Sequence, residues 1–219
     1  PEDDIQFQSK FVEACQSAGI RAEVIDPKEA LRLEPAANPD IIGAVRVPDG
    51  AVDPFRLTSS NIMDAKSHGA VVCTYHEVTE LLKDGNRIVG VKVLDHRTKE
   101  TKKYYAEVVV NAGGIWGHHI AEMAGVRVNM LPAKGALLIF GHRVNNMVLN
   151  RCRKPADADI LVPGDTICLI GTTSSKVPFD EVDNMLVTAK EVDILLREGE
   201  KLSPILAQTR ILRAYAGVR

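Results

Sequence analysis

Residues 106–117, Ala-Glu-Val-Val-Val-Asn-Ala-Gly-Gly-Ile-Trp-Gly, constrain the fold more than any other stretch of the chain. Val108, Val109 and Val110 are three β-branched residues in a row and read as a buried strand. Asn111-Ala112-Gly113-Gly114 reads as a tight turn, and Ile115 to Met123 as the start of a helix. A strand that stops at small residues and restarts as a helix brings backbone N–H groups to the strand's carboxyl end, where open α/β sheets bind nucleotides. The same residues also suit a purely structural turn whose glycines allow φ > 0 and close helix packing. Pattern alone leaves both readings open, because one Gly-Gly turn is a weak motif.

The rest of the chain sets the frame around that stretch. It has 219 residues, enough for one large or two small domains. With 27 basic and 29 acidic residues the net charge is −2, which gives no electrostatic reason to bind nucleic acid or an anionic membrane surface. No uninterrupted apolar stretch reaches the length of a transmembrane helix. Cys15, Cys73, Cys152 and Cys168 are scattered without CxxC spacing and read as reduced, mostly buried thiols of a cytosolic protein. The first residue is Pro1 rather than Met, and Arg219 directly follows a strand-like run, so the sequence reads as a piece of a longer protein.

Helix and strand signals alternate along the chain. Helices are expected from Phe7 onward with Gly19 at the position after the helix end, from Asp26-Pro27 to Leu33, from Asp53-Pro54 to His68 and from Thr188 to Leu202. Short strands are expected at 22–25, 41–47 and 70–74, the last making a crossover-like unit with the helix before it. From Glu77 the period changes to two, giving a three-stranded antiparallel meander over 77–110, with Lys92, Lys102 and Lys103 guarding an exposed face. Beyond Trp116, strands at 126–130, 134–140, 147–150, 159–162, 166–170 and 209–218 suggest an antiparallel sheet of a second lobe.

Few constellations carry chemistry unaided. Adjacent His118 and His119 point about 100° apart on a helix and cannot chelate together; they read as surface or first-turn residues, and no metal site is expected. The cluster His142, Arg143, Arg151, Arg153 and Lys154 could hold a small anion, but Asp157, Asp159 and Asp165 nearby favour a solvated, charge-balanced loop. Gly171-Thr172-Thr173, Lys134-Gly135 and Arg219 stand at strand ends, positions common to ligand contacts and to strand terminators. Neither GxGxxG nor a Walker loop occurs.

Taken together, Val47-Pro-Asp-Gly-Ala-Val-Asp-Pro-Phe-Arg-Leu57, Val108-Val-Val-Asn-Ala-Gly-Gly-Ile-Trp-Gly117, Pro132-Ala-Lys-Gly135, Ile170-Gly-Thr-Thr173 and Tyr215-Ala-Gly-Val-Arg219 occur in an order that resembles the FAD-dependent glycerol-3-phosphate dehydrogenases of the D-amino-acid-oxidase-like flavoprotein superfamily. Segments 150–165 and 191–201 are similar to the large subunit of the anaerobic type. The resemblance implies a mixed α/β (α+β) chain: a partial FAD-binding Rossmann-like lobe with a three-stranded β-meander, plus an antiparallel-sheet substrate lobe. It implies that residues 1–48 begin the substrate lobe, 49–125 form part of the FAD lobe with the meander at 77–110, and 126–219 form the antiparallel lobe. The N-terminal glycine loop and the C-terminal flavin-contacting segment would lie outside the sequence.

The implied activity of the complete enzyme is oxidation of sn-glycerol 3-phosphate to dihydroxyacetone phosphate, with electrons passed to quinone through other subunits of a membrane-associated complex. The protein would be cytoplasmic and peripheral at the inner membrane, and this stretch alone inactive, with FAD absent or weakly held. By position, the resemblance places Glu77 and Val78 at the adenine end of FAD, Ala112 and Gly113 by the adenosine ribose with Trp116 nearby, and Arg219 and Lys134 at the substrate. Leu137 stands where aerobic relatives have a histidine and Ser174 where they have an aspartate, which favours the anaerobic branch and leaves the proton acceptor unidentified. The alternatives are a non-catalytic ligand- or subunit-docking domain of the same architecture, and a flavoenzyme oxidising amines or amino acids.

Overall fold

Side-chain caps fix three of the five α-helices among the described residues. In the computed structural model, which describes residues 5–219, α1 spans Gln6–Ser17 and α2 spans Pro27–Leu33. Asp26 accepts the Lys28 N–H and leads into a proline at the first helical position, so the N-terminal donors of α2 are met locally. Asp53 does the same for α3 (Pro54–Ser67), accepting from Phe55 and Arg56. Helix α5 (Ala189–Leu202) carries a full capping box, with Thr188 and Glu191 exchanging side-chain and backbone hydrogen bonds.

The chain divides into two compact units: Pro1–Ala51 with Ala133–Val218, and Val52–Pro132 with Arg219. In the first, β1 (Glu23–Ile25) pairs antiparallel with β2 (Ala44–Arg46). Its main sheet is antiparallel and six-stranded, built from β6 (Ala133–Phe140), β7 (Leu149–Asn150), β8 (Ile160–Pro163), β9 (Cys168–Gly171), β10 (Ser175–Lys176) and β11 (Ile211–Val218). Strand β6 is its spine, pairing with β9, β10 and β11. Ala136, Leu138 and Phe140 alternate along β6 and are wholly buried, joined in one core by Leu161, Ile170, Leu195 of α5 and Leu206. Gly199 lets α5 approach the sheet: a Cβ there would lie 3.2 Å from Ile170 Cγ1 and 3.3 Å from Leu206 Cδ1.

Two polar clamps tie residues 34–38 into this unit. Glu34, only 3% exposed, accepts the backbone N–H groups of Ala36, Asn146 and Met147. Asn38 donates to the Lys201 carbonyl at the end of α5, and the Ser203 hydroxyl donates to Ala36 O.

The second unit holds α3, the meander β3 (His76–Asp84), β4 (Arg87–Asp95) and β5 (Thr101–Tyr105), and α4 (Gly117–Met123). The strands run in the order β3-β4-β5, with Gly85 at φ +58° in the first turn. Asp95 closes the second turn by accepting the Arg97 and Thr98 N–H groups, and its other oxygen faces Lys102 at 3.3 Å and His76 at 3.6 Å.

Two expected strands do not form, and a third is cut short. The third meander strand stops at Tyr105 rather than Val110, so the meander covers 76–105, and 108–110 joins no ladder. Segments 70–74 and 126–130 likewise carry no ladder, so the crossover-like unit after α3 is not completed. A strand exists only with a neighbour to accept its hydrogen bonds, and none pairs with these segments among the described residues. Val71, Val108 and Val110 are accordingly 85%, 74% and 81% exposed. Residues 126–132 belong to the second unit.

Candidate functional site

The glycine turn is built around one side chain. Asn111 Oδ1 accepts the Gly113 N–H at 3.1 Å, and its Nδ2 donates to Gly117 O at 2.8 Å. Gly114 has φ +54°, and a Cβ on Gly113 would lie 3.2 Å from both Asn111 Oδ1 and Gly117 Cα, so the turn itself requires both glycines. Ile115 is buried beneath it and the His118 ring nitrogen meets the Ile115 carbonyl at 3.0 Å, while Ala112 and Trp116 are exposed. The surface reading of His118 is therefore corrected: it is 9% exposed, held down by that carbonyl in the first turn of α4, with the His119 ring 3.7 Å away.

Glu77 and Val78 lie on β3, an edge strand whose far side has no ladder partner among the described residues. Helix α4 packs against β3, so the turn residues Ala112, Gly113 and Trp116 and the strand residues Glu77 and Val78 belong to one unit. The Glu77 carboxylate, 59% exposed, meets His96 Nε2 at 2.7 Å. Sequence reasoning missed His96, although pairing the hairpin from its Asp-Gly-Asn turn puts Glu77 opposite Leu94 and within reach of it.

Lys134 lies in the other unit, and its ammonium is engaged within the fold. It donates to the Leu186 carbonyl and pairs with Glu191 at 2.8 Å, the two side chains being 8% and 12% exposed. Glu191 Oε2 also accepts the Thr188 N–H and hydroxyl, and Oε1 accepts from Thr173 Oγ1, which in turn accepts the Ala136 N–H. Burial pushes the Glu191 carboxyl up, but the Lys134 ammonium and the Thr188 donors pull harder and hold it below the ordinary carboxylate range. Lys134, Thr173, Ser174, Ser175, Thr188 and Glu191 line one groove. The Thr188 helix start was legible in the sequence; that Glu191 neutralises Lys134 was not.

The remaining expectations sort by burial. The basic loop is charge-balanced as expected, but of its arginines Arg151 is buried and Arg153 half-buried rather than solvated, while Arg143 is exposed. The Arg151 side chain, 5% exposed, pairs with Glu198 at 2.7 Å, and Arg153 pairs with Asp159 at 2.6 Å and with Glu198 at 3.5 Å. All four cysteines are free thiols; Cys15 and Cys168 are buried, Cys152 is half-buried and Cys73 is exposed. Burial pushes the Cys168 thiol up. Arg219 is exposed and follows Val218, the last residue of β11. No cluster of metal-ligating side chains occurs among the described residues.

An antiparallel lobe, a meander and a glycine turn before a helix define a class, and the chain belongs to the FAD dependent oxidoreductase family, whose model matches residues 2–219. Within it, the whole chain is 64% identical over 219 residues to the A subunit of anaerobic glycerol-3-phosphate dehydrogenase from Escherichia coli (strain K12) and 60% identical to that from Haemophilus influenzae. It spans 40% and 39% of those relatives' lengths. Among solved structures it is similar in fold to glycine oxidase from Geobacillus kaustophilus (TM-score 0.79, 24% identity, 97% of this chain and 54% of that one). It is also similar in fold to the glycerol-3-phosphate dehydrogenase from Bacillus halodurans complexed with FAD (TM-score 0.73, 22% identity, 91% and 44%).

Proposed function

We propose that these residues are part of a flavin-dependent dehydrogenase that oxidises sn-glycerol 3-phosphate to dihydroxyacetone phosphate and passes the electrons to quinone through partner subunits. The observation that carries this reading is identity of 64% across the full chain to one component of an anaerobic glycerol-3-phosphate dehydrogenase. The exposed Phe55, Val71 and Val110 support a reading in which further protein covers the second unit. In the same reading the protein works at the inner membrane as a peripheral complex; no described helix is long and apolar enough to cross a membrane.

The second unit suits the adenosine half of FAD. Strand β3 offers an open backbone edge at Glu77 and Val78 for the adenine end, and Ala112 and Gly113, with the exposed Trp116 nearby, form the turn that leads into the helix packed on β3. In this assignment the second unit, Val52–Pro132, is part of the flavin lobe, and Pro1–Ala51 with Ala133–Val218 the substrate lobe. FAD, held at its adenosine end by Glu77, Val78, Ala112 and Gly113, would supply the two-electron acceptor for oxidation at the substrate's C2. The chain's own part is to orient the substrate. The Arg219 guanidinium suits two phosphate oxygens at once, with Lys134 at the adjoining strand end.

The test is a visible spectrum of the purified whole protein. A flavin band that survives in Arg219→Ala, while the substrate concentration needed for half-maximal rate rises sharply, supports both assignments. A colourless, folded whole protein favours the docking-domain reading, and loss of flavin in Arg219→Ala moves Arg219 from the substrate to the cofactor.

A further inference from the structure

Lys134 sits at a junction of the sheet. Its backbone pairs with Val218 of β11 on one side and with Ser175 of β10 on the other. Arg219 is the next residue after Val218, so the rung between Val218 and Lys134 is the last one before that guanidinium. Above the junction, Glu191 holds the Lys134 ammonium and, through Thr173, the backbone N–H of Ala136. Glu191 is itself fixed in the first turn of α5 by Thr188.

We propose that Glu191 and Lys134 form a positioning pair: their ion pair fixes the β6–β11 strand end and so sets where Arg219 meets the substrate phosphate. This rests on the reading of Arg219 as the phosphate clamp. The ammonium does not itself bind the substrate. Two of its three donors serve Leu186 and Glu191, and reaching a phosphate would break an ion pair whose members are 8% and 12% exposed. A displacement of about 1 Å at a binding group can cost on the order of a hundredfold in rate. The phosphate lies remote from the reacting carbon, so displacing its clamp weakens binding and registers in KM rather than kcat.

The experiment compares Lys134→Met, Glu191→Gln and the double variant in the whole protein, measuring kcat, KM for glycerol 3-phosphate, flavin per protein and Tm. A positioning pair predicts that each single variant raises KM about tenfold with flavin content unchanged, and that the double variant is no worse than the worse single, because the two residues act as one unit. If Lys134→Met does not fold, Glu191→Asp, which keeps the charge but withdraws it by one methylene, carries the same prediction. A KM rise in Lys134→Met beside a wild-type Glu191→Gln overturns the proposal and makes the ammonium a direct substrate group. Multiplying single effects, or wild-type KM in every variant, overturns it as well. A wild-type protein that holds no flavin, or whose flavin glycerol 3-phosphate does not reduce, refutes the dehydrogenase reading instead.

Discussion

Replacing Glu34 separates the clamp between residues 34–36 and the 145–147 loop from everything else in the first unit. Glu34 Oε2 accepts the N–H groups of Asn146 at 2.6 Å and Met147 at 2.8 Å, and Oε1 accepts that of Ala36 at 3.2 Å. The carboxylate is buried, and no cation faces it among these partners, so backbone dipoles carry its charge. Alanine leaves three backbone donors without an acceptor. At about 1–3 kcal/mol for a fully buried orphaned group, with some rescue by entering water, the net loss is about 2–4 kcal/mol. Glutamine keeps one oxygen. Turned to Asn146 and Met147 it preserves the two short bonds and loses only the long one to Ala36, a cost of about 1 kcal/mol. Denaturant unfolding of the whole protein, combined with hydrogen exchange at the Asn146 and Met147 amides, reads both scales. The alanine variant should exchange much faster at those two amides, and the glutamine variant only slightly faster. Wild-type protection in Glu34→Ala would falsify the assignment of these donors to the carboxylate.

Other outcomes follow from the polar network and the core. Chiefly the Arg97 N–H, opposed by burial and aided by Thr98, Lys102 and His76, holds the Asp95 carboxyl down at about 2. Its folded value is depressed, so its contribution to stability is full above the unfolded value of about 3.8 and disappears as pH falls through about 2. Asp95→Asn should flatten acid unfolding of the meander in that window, as followed by circular dichroism. Glu198→Ala removes the carboxylate 2.7 Å from the buried Arg151 guanidinium and should cost up to about 3–5 kcal/mol in urea unfolding. Leu195→Ala opens a cavity under α5 in a wholly buried position and should cost about 2–5 kcal/mol by the same measurement. Thr188→Ala removes half of the capping box and should lower stability by about 1 kcal/mol.

What could be read from the sequence was what local chemistry decides. Asp26-Pro27, Asp53-Pro54 and Thr188 announce helix starts because the capping oxygen lies within three residues of the donor it satisfies. The meander was legible because its first turn sets the pairing at Asp84–Arg87, which two cancelling register shifts restore at Glu77–Leu94. Val108 to Val110 has the composition of a strand without a partner, and strand formation depends on that partner rather than on the run itself. Long-range pairs were hidden for the same reason: Arg151 and Glu198 are 47 positions apart, and Lys134 and Glu191 are 57 apart. Lys134 and Arg219 were placed near the substrate by resemblance, and only coordinates show that the ammonium of Lys134 is already occupied.

The measurement that bears most directly on the dehydrogenase reading is flavin absorbance of the whole protein under anaerobic conditions, before and after substrate. Glycerol 3-phosphate should bleach the oxidised flavin band, while glycine, proline and other amino acids leave it unchanged. Bleaching by an amine or amino acid but not by glycerol 3-phosphate would contradict it.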